Sequence, residues 1–189
     1  MHPVSSQLPE PGANDSLDIQ LPDHDDPAFD LAGRSAEMRA NPDEMRDIEA
    51  IKQLKARYFR LMDTKQWEAF ASVFAEDAEI DVTDDAGPEN GRVRGALSIA
   101  TYIRSAVGEA FTVHHGHMPE IRITSPKTAE GTWAMFDYVE FPSEGDRRGL
   151  QGYGHYIETY TRSDGDWKIQ SMKLSRLRVD PLSPRAPLG

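Results

Sequence analysis

The chain contains no cysteine. That excludes disulfide bridges and thiolate zinc sites and fits the reducing cytoplasm. No apolar stretch approaches the ~20 residues a membrane helix needs. The N-terminal stretch has neither a basic n-region nor an apolar run, so neither a secretory signal nor a membrane partner is expected. A basic patch is missing too. The formal charge is −11, which argues against nucleic acid as a partner. Lys173, Arg176 and Arg178 are spaced along one late strand and read as a solvated face rather than a phosphate track.

The acidity is uneven. Residues 1–46 carry −7 of the −11, and the remaining 143 residues carry only −4. Residues 1–40 read as an acidic extension in which Pro3, Pro9, Pro11, Pro22 and Pro27 break any helix, free or wrapped on a neighbouring subunit. A single domain is expected over 41–180, followed by a tail over 181–189.

The densest chemistry lies in Thr112-Val113-His114-His115-Gly116-His117, where three of six histidines fall within four positions. Histidine titrates near neutrality. The cluster therefore points to proton transfer, to a metal, or to a polar core. A metal set would join His115 and His117 to His155 or Asp137, ligands suited to zinc or iron. Adjacent and alternate histidines on a strand are not a metal-binding spacing, and no metal is expected.

Periodicity orders the elements. Asn41-Pro42-Asp43-Glu44 reads as a capped helix start. Ile48, Ile51, Leu54, Tyr58, Leu61 and Met62 follow as a helical stripe, with a break at Thr64-Lys65. Trp67, Phe70, Val73 and Phe74 suggest a short second helix. A strand is predicted over 78–82, a loop over 84–91 and a third helix over 96–107. Four long strands follow, at roughly 111–125, 128–141, 150–163 and 166–179, with a hairpin signal at Ser163-Asp164-Gly165-Asp166. Helices first and strands afterwards imply an α+β fold: a cone-shaped, curved antiparallel sheet packed on three N-terminal helices, enclosing an apolar cavity.

Strand parity then sorts side chains. Trp133, Met135, Asp137, Val139 and Phe141 share a face on which Asp137 is the one charge, and Tyr153, His155 and Ile157 share another. An unpaired buried carboxylate is costly, so Asp137 is expected to be functional or paired. Trp133, Met135, Phe136, Phe141 and Tyr102 could line an apolar pocket or be plain core. Tyr156 and Tyr160, on the opposite parity to Tyr153, are expected on the outer face, where large residues favour a homo-oligomer interface, a trimer first and a dimer next.

The segment Ile51-Lys52-Gln53-Leu54-Lys55-Ala56-Arg57-Tyr58-Phe59-Arg60-Leu61-Met62-Asp63, the Thr112–Gly116 stretch, and Gly152-Tyr153-Gly154-His155-Tyr156 with Asp164-Gly165-Asp166-Trp167 together resemble the SnoaL-like branch of the nuclear-transport-factor-two-like superfamily, over about 45–180. The resemblance is to its cofactor-free dehydratases and dehydrochlorinases, such as scytalone dehydratase, bile-acid 7-alpha-dehydratase and hexachlorocyclohexane dehydrochlorinase. It implies a His114–Asp63 dyad as general base, assisted by Tyr58, with Asp137 near a further active-site Asp. His115, His155, Tyr153, Trp133, Met135 and Phe141 are expected to position substrate.

The implied activity is a lyase or isomerase acting on a hydrophobic, hydroxylated or carbonyl-bearing polyketide, steroid or terpenoid. The alternative is a non-catalytic binding or assembly subunit, like the β-subunits of ring-hydroxylating dioxygenases. Helix geometry adds one condition. Five residues turn the chain by about 140°, so Tyr58 and Asp63 share a helical face only if the helix ends or bends near Leu61.

Overall fold

The computed structural model describes residues 41–142 and 149–182. The acidic extension, most of the Pro142–Gly149 connection and the end of the C-terminal tail lie outside the described residues.

The first helix, α1 (Pro42–Asp63), starts where the sequence places it: the Asn41 side chain accepts from the Asp43 backbone N–H at 3.0 Å, with proline in the first turn. Ile51, Leu54, Tyr58, Leu61 and Met62 form its buried stripe. The helix stops at Asp63. Lys65 then adopts a left-handed φ of 61°, and its ammonium donates to the Val107 carbonyl and to Thr112 Oγ1, both at 2.9 Å. The end of α1 is thus tied to the segment leading into the histidine strand.

A short α2 (Trp67–Ala71) follows. Val73 and Phe74 do not extend it. Phe74 opens the first strand, β1 (Phe74–Asp81). A single-turn helix, α3 (Thr83–Ala86), overlaps the start of the stretch expected as a loop, and a short strand, β2 (Arg92–Arg94), follows that stretch. Asp81 starts that turn by accepting from the Thr83 backbone and hydroxyl at 3.1 and 2.7 Å. Helix α4 (Ala96–Val107) precedes four long strands: β3 (Phe111–Ser125), β4 (Thr128–Glu140), β5 (Gly149–Ser163) and β6 (Asp166–Pro181).

The strands form one curved, unclosed sheet in the order β2-β1-β6-β5-β4-β3. Every neighbouring pair is antiparallel except β1 and β6, which run parallel. The expected all-antiparallel sheet needs that one amendment: β1 and β6 are joined by a long crossover rather than a hairpin, and only such a connection permits a parallel pair.

The core lies between α1, α2, α4 and the inner face of the sheet. Tyr156 and Tyr160 belong to it, so the interface expected at these two residues is not there. Lys55 and Glu158 are buried with them at 0 % side-chain exposure, paired at 2.5 Å. Glu158 also accepts from the Tyr160 hydroxyl, which accepts from Trp133 Nε1 at 2.8 Å. The Lys55 ammonium sits 4.0 Å from the Tyr58 ring centre and 3.7 Å from that of Tyr156. Burial holds this ammonium below its ordinary pKa, and Glu158 opposes the shift. The pair and the two aromatic faces satisfy charges that would otherwise be prohibitive inside a core. No described helix is long and apolar enough to cross a membrane.

Candidate active site

Strand β3 turns Thr112 and His114 inward and leaves His115 and His117 outward, as its alternating burial shows. Asp63, at the last position of α1, meets both inward residues. Its Oδ1 lies 2.6 Å from His114 Nδ1 and accepts the Thr112 hydroxyl at 2.9 Å, and its Oδ2 accepts the His114 backbone N–H at 2.9 Å. Burial pushes the Asp63 carboxyl up, but the His114 ring and backbone and the Thr112 hydroxyl outweigh it and hold the group below the usual carboxylate range. Asp63 is therefore an anion that only accepts. Nδ1 carries the proton of the neutral ring, and Nε2 presents a lone pair. No hydrogen bond engages Nε2 among the described residues.

His114 borders two hollows. On one side lies a cavity of about 520 Å³, lined by Tyr58, Tyr102, Ile103, Val139, Phe141, Leu150, Leu174 and Val179, with Asp84, Asp85, Asp137, Tyr156 and Arg176 as polar groups. On the other is a surface groove that includes Asp63, His115, Phe59 and Trp133. This geometry answers the helical-face condition. The helix runs unbroken to its end at Asp63. Tyr58 faces the cavity and Asp63 faces the groove, and His114 between them is reached from both.

Asp137 stands directly across from His114 in the β3–β4 ladder, and Gly152 of β5 stands across from Asp137. Asp137 is buried and paired with Arg176, Nη1 to Oδ1 at 3.0 Å and Nη2 to Oδ2 at 2.8 Å. An ideal Cβ on Gly152 would sit 2.1 Å from Arg176 Nη1 and 2.2 Å from Asp137 Oδ1, so only glycine leaves room for this pair. Arg176 also makes a bidentate bond to Asp85 of α3, Nε to Oδ1 and Nη2 to Oδ2, both at 2.7 Å. Its backbone N–H donates to Asp84 at 2.9 Å. Burial alone would weaken the guanidinium's charge, but Asp85 and Asp137 hold its pKa above the ordinary value.

Tyr58 and Tyr156 both line the cavity, with ring centres 6.1 Å apart. Burial first, then for Tyr58 the Glu158 carboxylate and for Tyr156 the neighbouring Tyr58, push both phenols well above their ordinary pKa. Both phenols stay protonated.

The structure brings together Tyr58, Asp63, His114, Asp137, Tyr102 and Phe141. Other expectations require correction. His155 and Tyr153 lie on the outer face of β5, because its inward residues are Gly152, Gly154, Tyr156, Glu158 and Tyr160. His115 and Phe136 are on the outer face too, 5.9 Å apart by ring centres. None of the four reaches the cavity. Trp133 is a core residue spent on Tyr160, and Met135 supports Arg176 through its sulfur at 3.6 Å. Arg176, read as part of a solvated face, is instead a cavity residue with 10 % side-chain exposure. A bulge between Tyr153 and Gly154 shifts the register of β6 at that point and defeats simple alternation. The paired small residues Gly152 and Gly154 were the available signal, since they make room for something large opposite. Among the described residues, no group of three or more His, Asp or Glu side chains is arranged to hold a metal ion.

Helices packed on one face of a strongly curved, open sheet, with a cavity between them, define the cone fold of nuclear-transport-factor-two-like proteins. Within that class the chain belongs to the SnoaL-like domain family, whose profile matches residues 43–173. It is 25% identical over 134 residues to the Probable cyclase FGR4 of Gibberella zeae, covering 67% of this chain and 89% of that one. Among solved structures it is similar to hexachlorocyclohexane dehydrochlorinase (LinA) Type2, with a TM-score of 0.67 at 21% identity over 79% of this chain and 99% of that chain. It is also similar to a scytalone dehydratase candidate from Novosphingobium aromaticivorans DSM 12444, with a TM-score of 0.64 at 23% identity over 77% of this chain and 95% of the other. At these identities the structural likenesses speak for the fold.

Proposed function

We propose that the protein is a cofactor-independent lyase of the dehydratase type, or an isomerase, acting on a hydrophobic small molecule that carries a hydroxyl and a carbonyl. The observation that carries this reading is the 2.6 Å contact between Asp63 and His114 Nδ1 on the wall of a largely apolar cavity. Asp63 fixes the tautomer and stabilises the imidazolium, so that Nε2 takes a proton from the carbon next to the carbonyl. The electron pair left behind moves onto the carbonyl oxygen. Tyr58, a protonated donor on the same cavity wall, hydrogen-bonds that oxygen as it gains charge. In elimination the imidazolium returns the proton to the departing hydroxyl, which leaves as water. In isomerisation it returns the proton to carbon at another position. The names of the relatives, a cyclase, a dehydrochlorinase and a scytalone dehydratase candidate, fit chemistry that begins with proton abstraction.

The test is incubation of the purified chain with a panel of neutral β-hydroxy ketones of polyketide, steroid and terpenoid type in heavy water, read by mass spectrometry. Loss of one water marks a lyase. Deuterium uptake without that loss marks an isomerase. His114→Ala should abolish either signal. Tight binding of a panel member with no mass change in the wild type would instead make the protein a binding or assembly subunit.

A further inference from the structure

We propose that the cavity accepts only uncharged ligands, and that Arg176, the obvious anion-binding group on its wall, is already saturated by the protein and enforces this selection. The inference rests on the cavity being the substrate site of the proposed function, and it narrows the substrate class.

A guanidinium has five N–H bonds, and Arg176 has spent all of them. The Nε–Nη2 edge grips Asp85, the Nη1–Nη2 edge grips Asp137, and the remaining Nη1 hydrogen faces Met135 Sδ at 3.6 Å. Two carboxylates thus share one cation, and Asp84 stands beside them on the Arg176 backbone N–H. Neighbouring cations are engaged as well. Lys65 is committed to Val107 and Thr112, and Lys55 is sealed against Glu158. His114 faces Asp63. Among the described residues that line the cavity, Arg176 and His114 alone can carry positive charge, against Asp84, Asp85 and Asp137. A carboxylate or phosphate entering the cavity would lose water and meet carboxylates, with only neutral phenols and no free cationic donor to replace that water. A ketone or alcohol pays no such cost, and the phenols of Tyr58 and Tyr156 can serve it. Asp85 therefore acts as a specificity residue, occupying the edge of Arg176 that a charged ligand would need.

The test uses two probes of one shape, 2-acetylnaphthalene as the neutral ligand and 2-naphthoate as the anion, titrated by calorimetry into the full chain at mildly alkaline pH. The wild type should bind the ketone at least about tenfold more tightly than the carboxylate, and Asp85→Ala should tighten naphthoate by about tenfold while moving the ketone less than about threefold, as expected when a bidentate guanidinium edge is freed. Asp85→Asn, which keeps the shape and one acceptor, should fall between and serves if the alanine variant does not fold. Equal binding of both probes by the wild type, or a naphthoate affinity that Asp85→Ala and Asp85→Asn leave unchanged, overturns the selection rule while leaving the cavity as the substrate site. Failure of the neutral ketone to bind the wild type at all overturns both.

Discussion

Two buried polar clusters lie on either side of Tyr58, and they are built from similar parts to opposite ends. The inner one joins Lys55, Glu158, Tyr160 and Trp133. It is fully enclosed, its charges cancel, and the chain of donors and acceptors runs from the Lys55 ammonium to the Trp133 indole. The outer one joins Thr112, Asp63 and His114. It is held just as tightly on one side, through three bonds to a single carboxylate, but ends at a ring that borders a cavity. A polar network with all its groups satisfied can only hold a structure in place. One that leaves a basic atom unspent on the wall of an apolar space can move a proton.

The comparison sharpens or breaks under substitution. The largest effect is expected from Lys55→Met, which strands Glu158 in the core and should cost about 3–5 kcal/mol of stability in denaturant unfolding, the range for halving a buried pair. The double variant Lys55→Met/Glu158→Leu should regain most of that loss. A single variant as stable as wild type would show that the inner cluster does not hold the core together. His114→Ala should do the reverse, lowering turnover at least ~10²-fold while losing less stability than Lys55→Met.

Asp63→Asn belongs in the same experiment and adds a pH signature. The folded-state pKa of Asp63 is depressed. Its ionisation therefore stabilises the fold above the unfolded value of about 3.9, and that stabilisation is lost as pH falls through the lower folded value. The stability gap between wild type and Asp63→Asn should close in that acidic window. A gap that persists below it would mean the carboxylate's charge is not what stabilises the site. Tyr58→Phe should cost about 1.5–3 kcal/mol in kcat/KM, one hydrogen bond to a developing charge, without changing the order above. Smallest of all, His155→Ala and His117→Ala should leave stability within about 0.5 kcal/mol of wild type and turnover unaltered. A large loss from either would put the working histidine on the wrong face of the sheet.

The order of helices and strands was legible because helical stripes and two-residue alternation are strong local signals. Residues Asp63 and His114 were singled out through a family resemblance. The structure then puts them in contact, because α1 ends at Asp63 and β3 turns His114 inward. Strand β5 was harder to read. Period two says which side chains share a face, but not which face looks inward, and both sets on β5 are large and partly polar. Glu158 sat on the set that proved to be buried, and nothing local announces that Lys55, 103 residues earlier, neutralises it. With the two faces exchanged, His155 and Tyr153 were placed inside and Tyr156 and Tyr160 outside. Arg176 was missed for a related reason, since its two carboxylate partners come from elements distant in the chain and a bulge shifts its strand.

The parallel pairing of β1 with β6 also bears on the order in which the molecule can be built. The dyad joins residues 51 apart, whereas Arg176 reaches back 91 residues to Asp85, and β1 must wait for β6 before it has a neighbour on that side. Contacts of long sequence separation form late because they close the largest loops. A nascent chain would therefore hold its Asp63–His114 pair before the wall of the cavity is finished, and it would expose one edge of β1 until the last strand arrives. Folding rate, more than final stability, is where a weakened β1–β6 seam would first be felt.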